Sequence, residues 1–92
     1  MDIFGKALFD YSLGNTNPLY FNIGTNRFEV DKSRYFRNKR DTFSSCEKLI
    51  FDKCKGKTLD VGCGTCNYHP LIEESILGID NSTYMIKVAK RN

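Results

Sequence analysis

The sequence predicts an α/β fold whose second half begins a doubly wound parallel sheet. Two short apolar runs, residues 58–61 and 75–80, have the composition of β-strands, and two glycines follow the first run. Helix-forming segments lie before, between and after these runs. The order helix, strand, helix, strand, helix is the alternation that builds a parallel sheet with right-handed crossovers.

The first 43 residues are expected to form a leader with a helix and a β-hairpin. Asp2 is placed to cap a helix over residues 3–12, in which apolar residues recur every three or four positions. Apolar and polar residues then alternate over residues 19–30, which predicts a hairpin with a three-residue, glycine-containing turn at residues 24–26. We expect the hairpin to cover an edge or the mouth of the domain, and contact with a substrate is the alternative.

Residues 32–40 form the most basic stretch of the chain. Their cationic side chains are interleaved with Tyr35 and Phe36, a pattern that can follow a nucleic-acid backbone and stack bases. The simpler interpretation is a solvated connector whose aromatic rings pack on the core, because runs of charge are usually exposed faces.

Residues 44–92 are expected to be the start of the sheet-containing domain, incomplete at its C-terminus. Ser44 and Glu47 have the spacing of a capping box at the start of a helix over residues 45–54. The residues expected to form the apolar stripe of this helix are Cys46, Leu49, Ile50 and Cys54.

Two further helices are predicted around the second strand. Residues 67–74 predict a short helix, in which Pro70 is tolerated only in the first turn. Ser82 is placed to cap a last helix. The residues of that helix expected to face inward are Met85, Ile86 and Ala89.

Composition and charge favour a folded domain. With 40% hydrophobic and 27% charged residues, the chain is near the globular average, which excludes disordered, collagen-like and coiled-coil classes. The net charge of +3 is small for a nucleic-acid-binding tail. No apolar run reaches the roughly 18 residues that a membrane span needs, and no signal-peptide pattern is evident. The expected location is cytoplasmic, where the four cysteines would be reduced thiols.

A candidate nucleoside-binding site lies where the two predicted strands end. Gly62 and Gly64 can take positive φ or let a ligand approach the backbone closely, and Asp60 stands just before them. Asp80 ends the second strand, and an acid roughly 20 residues beyond a glycine turn has the spacing of a ribose-binding carboxylate. The dinucleotide pattern Gly-x-Gly-x-x-Gly has Asn67 in its last place, which counts against NAD.

Two motifs resemble the class I S-adenosylmethionine-dependent methyltransferases. Residues 59–65, Leu-Asp-Val-Gly-Cys-Gly-Thr, match the motif that opens that fold. Residues 77–90 match the second motif, an acid-ended strand and the helix after it. The leader, at residues 4–11 and again at 35–37, is similar to that of one bacterial branch of these enzymes. The resemblance implies a partial Rossmann-like fold, with S-adenosyl-L-methionine as the cofactor.

The resemblance also implies which residues bind the cofactor. Gly62 and Gly64 would lie under its methionine and ribose, with Asp60 near its amino group. Asp80 would accept from the ribose hydroxyls, and hydrogen bonds to a charged group are stronger than neutral ones. Asn81 would stand where many relatives present an apolar side chain to the adenine. The full expected set is Asp60, Gly62, Cys63, Gly64, Asp80 and Asn81.

Cys66 departs from the family pattern, which usually has a third glycine there. A Cβ would cost about 1 kcal/mol if this position needs positive φ, and it would crowd a ligand above it. With Cys63 it also forms a Cys-x-x-Cys, which is typical of a redox pair or of half a zinc site. A second closely spaced pair is missing from the sequence, because Cys46 and Cys54 are eight positions apart and His69 is alone. No metal site is therefore expected.

The sequence supplies only two strands of the sheet that the resemblance implies. Residues that select and activate the methyl acceptor lie on later strands in that family, so no catalytic residue is predicted and the acceptor is unknown. We expect either a fragment of a longer methyltransferase or a truncated copy, inactive alone, that associates with another chain through open sheet edges. The alternative is a non-catalytic module that binds a partner protein or, through residues 32–40, a nucleic acid.

Overall fold

The structure, a computed structural model of the chain, describes residues 1–72 and 75–91. It contains three α-helices, two pairs of strands and three short segments of 3-10 helix within these residues. In chain order the helices and strands are α1 (Ile3–Ser12), β1 (Tyr20–Ile23), β2 (Asn26–Glu29), α2 (Ser45–Lys53), β3 (Thr58–Val61), β4 (Ile76–Ile79) and α3 (Thr83–Ala89).

Helix α1 begins and ends where the sequence predicts, and it packs on α3. The Asp2 carboxylate caps α1 by accepting from the Gly5 amide, and it also accepts from the Ser82 hydroxyl at the start of α3. A Cβ at Gly5 would collide with both of these side chains, so any other residue there would displace the cap. Leu8 and Val88 are fully buried, one on each helix. The leader therefore shares a core with the last helix.

The hairpin forms, but its predicted turn is one residue too long. Ile23 pairs with Asn26, which leaves Gly24 and Thr25 as a two-residue turn. Gly24 has a φ of 59°, and a glycine with positive φ at the first central position suits the twist of a tight hairpin. All eight strand residues are exposed. The covering role expected of the hairpin stays a prediction.

The basic stretch behaves as a connector whose aromatic rings turn inward. Within a 3-10 turn at Lys32–Phe36, the Tyr35 ring meets Phe4 edge to face at 5.3 Å between centroids. The Phe36 ring packs on Tyr11 at 5.2 Å. Lys32 is buried and donates to a backbone carbonyl. The rings that a nucleic acid would stack on are thus occupied by α1.

Helix α2 has the predicted capping box, but its predicted apolar stripe is wrong. The Ser44 side chain accepts from the Glu47 amide at 3.2 Å, and the Glu47 carboxylate accepts from the Ser44 amide at 3.0 Å. The buried residue is Phe51, which joins Phe43 and Ile72 in a small core. Of the expected stripe, Cys54 is half-buried and packs on that core just after the helix, whereas Cys46, Leu49 and Ile50 are exposed.

Strands β3 and β4 form the predicted parallel pair, with Thr58 opposite Ile76 and Val61 opposite Ile79. One face of the pair is half-buried against the small core. The other face is open among the residues that the structure describes, although parallel sheets are normally covered on both faces. The doubly wound order requires further strands and stays a prediction. The exposed side chains of the open face are Leu59, Val61, Leu77 and Ile79.

The helix predicted over residues 67–74 is wrong in the described residues. A single 3-10 turn, His69–Leu71, lies there instead, with Pro70 near its start. The Leu71 and Ile72 amides donate to carbonyls three residues back, at 2.9 and 3.1 Å, which closes a tight turn before the chain enters the core. Glu73 and Glu74 lie outside the described residues.

Helix α3 has the predicted cap, since the Ser82 side chain accepts from the Met85 amide at 3.2 Å. Met85 is buried as expected, and Val88 is buried as well, which the sequence interpretation missed. Ile86 and Ala89 are only half-buried. No helix in residues 1–72 and 75–91 is long and apolar enough to cross a bilayer.

We predict that Leu8→Ala lowers the free energy of unfolding by about 2–5 kcal/mol, because the lost methyl groups leave a cavity in the contact between α1 and α3. Leu49→Ala is the matched control, since Leu49 is 56% exposed, and should change stability by about 0.5 kcal/mol at most. Urea denaturation followed by circular dichroism measures both. Equal losses in the two variants would contradict a shared core between the leader and α3.

Candidate cofactor site

The glycine turn after β3 is held against the end of β4. Gly62 and Gly64 have φ values of 72° and 56°, a region that favours glycine. The Gly62 and Cys63 amides both donate to the Ile79 carbonyl, at 2.8 and 2.9 Å. Backbone hydrogen bonds therefore hold together the two strand ends that the sequence analysis identified.

Asp80 joins this turn to the start of α3. One carboxylate oxygen, Oδ2, accepts from the Gly64 amide at 2.9 Å, and the other, Oδ1, accepts from the Ser82 amide at 2.8 Å. Each carboxylate oxygen can accept a further hydrogen bond. Asp80 is thus fixed in orientation while it retains acceptor capacity for a ligand.

A cavity of about 400 Å³ lies beside Asp80, within the usual size range of small-molecule sites. We call it the turn pocket. Five of the six expected cofactor-binding residues line it: Gly62, Cys63, Gly64, Asp80 and Asn81. Its other lining residues are Asp2, Phe4, Tyr35, Thr65, Asn67, Tyr68, Ser82 and Met85.

The leader supplies one wall of the turn pocket, which the sequence interpretation did not assign. Its connector is tied down by two side chains that follow the glycine turn. The Thr65 hydroxyl donates to the Tyr35 carbonyl, and the Asn67 amide donates to the Arg37 carbonyl at 2.7 Å. The resemblance of residues 4–11 and 35–37 to a methyltransferase leader is the sequence feature from which a contribution of the leader to the pocket could have been predicted.

Asp60 is the expected site residue that does not line the turn pocket. Its Oδ2 accepts from the Tyr68 hydroxyl and lies 2.9 Å from His69 Nε2. The Asp60 and His69 side chains are only 15% and 17% exposed. Burial first, and then the Asp60 charge, raise the pKa of Tyr68, so its phenol keeps its proton.

A second cavity, of about 360 Å³, lies between α2 and the half-buried face of the sheet. We call it the α2 pocket. Asp60 and Tyr68 contribute to its walls, and Tyr68 is the residue that it shares with the turn pocket. The remaining lining residues are Glu47, Ile50, Phe51, Cys54, Thr58, Leu59, Ile72 and Ile76.

Cys66 lies in the left-handed region with a φ of 56°, the only non-glycine with positive φ among the described residues. Burial raises its pKa to about 12, and the neighbouring Cys63 thiol and the Asp60 and Asp80 charges act in the same direction. A thiol with so high a pKa is a poor nucleophile at neutral pH.

Cys63 is buried against the second strand. A Cβ at Gly78 would lie 2.7 Å from the Cys63 Sγ and 2.9 Å from His69 Cε1. Gly78 is therefore required by close packing, a role that the sequence interpretation missed. The four cysteines are free thiols. Residues 1–72 and 75–91 contain no group of three or more side chains that could hold a metal ion.

No protein-family model matches this chain, and no curated protein matches it. A solved structure does: the S-adenosylmethionine-dependent methyltransferase from Bacteroides fragilis, crystallised in complex with S-adenosyl-L-homocysteine. The match has a TM-score of 0.79 and 23% sequence identity, and it covers 95% of this chain but 38% of that protein. The predicted class I methyltransferase-like fold is thereby confirmed, over less than half the length of the solved relative.

Proposed function

We propose that this chain is the cofactor-binding portion of an S-adenosylmethionine-dependent methyltransferase. The observation that carries the proposal is the Asp80 carboxylate, held by the Gly64 and Ser82 amides on the wall of the turn pocket. The solved relative of the same fold is a methyltransferase that binds S-adenosyl-L-homocysteine. The proposal extends that ligand class to this chain.

The donors and acceptors of the turn pocket fit the nucleoside end of this cofactor. A ribose offers two adjacent hydroxyl donors, and Asp80 has a further acceptor position on each oxygen. The backbone at Gly62 and Gly64 carries no Cβ, and a Cβ built there would meet nothing within 4 Å, so that side is open to a ligand. Asn81 lies next to Asp80 on the wall and can offer its amide to a base edge.

In the proposed reaction the cofactor supplies an activated methyl group, and this chain binds and orients it. The displacement at the sulfonium depends chiefly on holding the acceptor in line with the methyl group. Residues that hold an acceptor are not assigned to this chain. Its methyl acceptor and catalytic residues stay open, and we expect no transfer activity from these 92 residues alone.

We predict that the chain binds S-adenosyl-L-homocysteine and that Asp80→Asn weakens binding by about 10- to 100-fold, because hydrogen bonds to a charged acceptor contribute about 1.5–3 kcal/mol. Isothermal titration calorimetry measures both affinities. Asp41→Asn is the matched control, since Asp41 is exposed and does not line the turn pocket. The absence of heat from the folded wild type at millimolar ligand would remove the proposal.

Cys66 bears on the proposal because its backbone is strained. A left-handed conformation costs an L-residue roughly 1–2 kcal/mol, whereas glycine adopts it freely but loses about 0.5–1 kcal/mol of chain entropy. The Cys66 side chain is not among those lining the turn pocket in the described residues. Its cost therefore falls on stability rather than on direct contact with the ligand.

We predict that Cys66→Gly raises the free energy of unfolding by about 0.5–1 kcal/mol and leaves S-adenosyl-L-homocysteine affinity within about twofold. Cys46→Gly is the control of opposite sign, because a glycine in the first turn of α2 should cost about 0.5–1 kcal/mol. Thermal melts and calorimetry provide the two readouts. A large gain in affinity for Cys66→Gly would mean that the thiol crowds the ligand.

The open face of the sheet favours a second candidate function, association with another polypeptide. Four large apolar side chains on β3 and β4 are 45% to 72% exposed, and a contiguous apolar patch on a folded protein commonly marks an interaction site. Nucleic-acid binding has less support, because Tyr35 and Phe36 pack on α1. The occupant for which we argue is a second copy of this chain, which carries the same apolar patch.

We predict that the chain self-associates at micromolar concentration. Leu77→Lys should weaken the association by at least tenfold, because it places a charge within the apolar patch that association would bury. Leu13→Lys is the control, a lysine at a residue that directly follows α1 and is 61% exposed. Sedimentation equilibrium measures the association. A folded wild-type monomer at all concentrations would contradict this candidate without affecting the first.

A further inference from the structure

We propose that Tyr68 contacts the amino-acid part of the ligand, and that Asp60 acts on the ligand only through the Tyr68 hydroxyl. This inference rests on the proposed function and refines it, since the resemblance assigns the ligand's amino group to Asp60 itself. Tyr68 lines the turn pocket and Asp60 is absent from its walls in the described residues. The tyrosine therefore stands between the acid and the proposed ligand.

The contacts of Asp60 support this order. Both of its hydrogen bonds to described residues, from Tyr68 and His69, use Oδ2. Asp60 and Tyr68 both line the α2 pocket, and of these two residues only Tyr68 also lines the turn pocket. In the described residues, the link between the Asp60 carboxylate and the turn pocket therefore runs through Tyr68.

The chemistry of the Tyr68 hydroxyl fits an ammonium ligand. The hydroxyl donates its hydrogen bond to Asp60, and its oxygen keeps lone pairs that can accept a hydrogen bond from another donor. A hydroxyl that donates to a carboxylate becomes a more electron-rich acceptor, because hydrogen bonds in a chain polarise one another. The ammonium of the methionine part is a charged donor of the kind that such an oxygen would accept.

His69 and Phe51 hold this arrangement in place. The His69 Nε2 lies 2.9 Å from the same Asp60 oxygen that accepts from the tyrosine. The Tyr68 ring stacks on Phe51 with centroids 5.4 Å apart and planes inclined by 18°. The His69 amide donates to the Cys66 carbonyl at 3.1 Å, which fixes the start of the turn. Asp60 and His69 are therefore positioning residues, and Tyr68 is the binding residue.

The test compares two ligands that differ in the amino-acid part. S-adenosyl-L-homocysteine carries it, whereas 5′-methylthioadenosine has the same nucleoside without it. We expect Tyr68→Phe and Asp60→Asn each to weaken S-adenosyl-L-homocysteine by about 10-fold and to leave 5′-methylthioadenosine unchanged. The double variant should bind no more weakly than Tyr68→Phe. Calorimetry measures each affinity, and Tyr20→Phe on the exposed hairpin is the matched control.

The possible outcomes distinguish different roles for Tyr68 and Asp60 in ligand binding. A further tenfold loss when Asp60→Asn is added to Tyr68→Phe would overturn the relay, since Asp60 would then contact the ligand directly. Equal losses for both ligands would indicate a structural role for Tyr68. Unchanged affinities in both single variants would also overturn the inference. Wild-type binding of both ligands with equal affinity would overturn it while leaving the nucleoside site intact, whereas binding of neither would remove the proposed function itself.

Discussion

The Asp80 carboxylate is the constraint on which the rest of this site depends. Its two oxygens accept from the Gly64 and Ser82 amides, so one side chain fixes the turn after β3 relative to the start of α3. The parallel pairing of β3 and β4 brings these segments together, since parallel strands present their carboxyl ends at the same edge of the sheet. The acid and the glycine turn then form one rigid wall.

The leader completes this wall through contacts that are distant in the sequence. Asp2 accepts from Ser82 across 80 positions, and Thr65 and Asn67 donate to the carbonyls of the connector. The aromatic rings of the connector pack on α1, and Tyr35 also lines the turn pocket. The basic stretch is thus part of the proposed cofactor site, and its aromatic residues serve packing.

In the part of the chain that the structure describes, the parallel sheet is covered on one face and open on the other. The small core of Phe43, Phe51 and Ile72 lies on the covered side, where Asp60 meets Tyr68. The match to the solved methyltransferase covers 38% of that protein, and a parallel sheet is stable when helices cover both faces. Among the described residues, the open face therefore lacks the cover that a parallel sheet normally has.

The sequence by itself determined the features that depend on near neighbours in the chain. The caps at Asp2 and Ser82 act within three residues, and the strand ends followed from apolar runs and from the spacing of Asp80. Tertiary packing decided which face α2 buries, because Phe51 packs with Phe43 and Ile72, two residues that lie outside the helix. It also decided that Asp60 faces Tyr68 and His69. The partners of a buried carboxylate are set by the way the chain folds back on itself, which residue spacing does not specify.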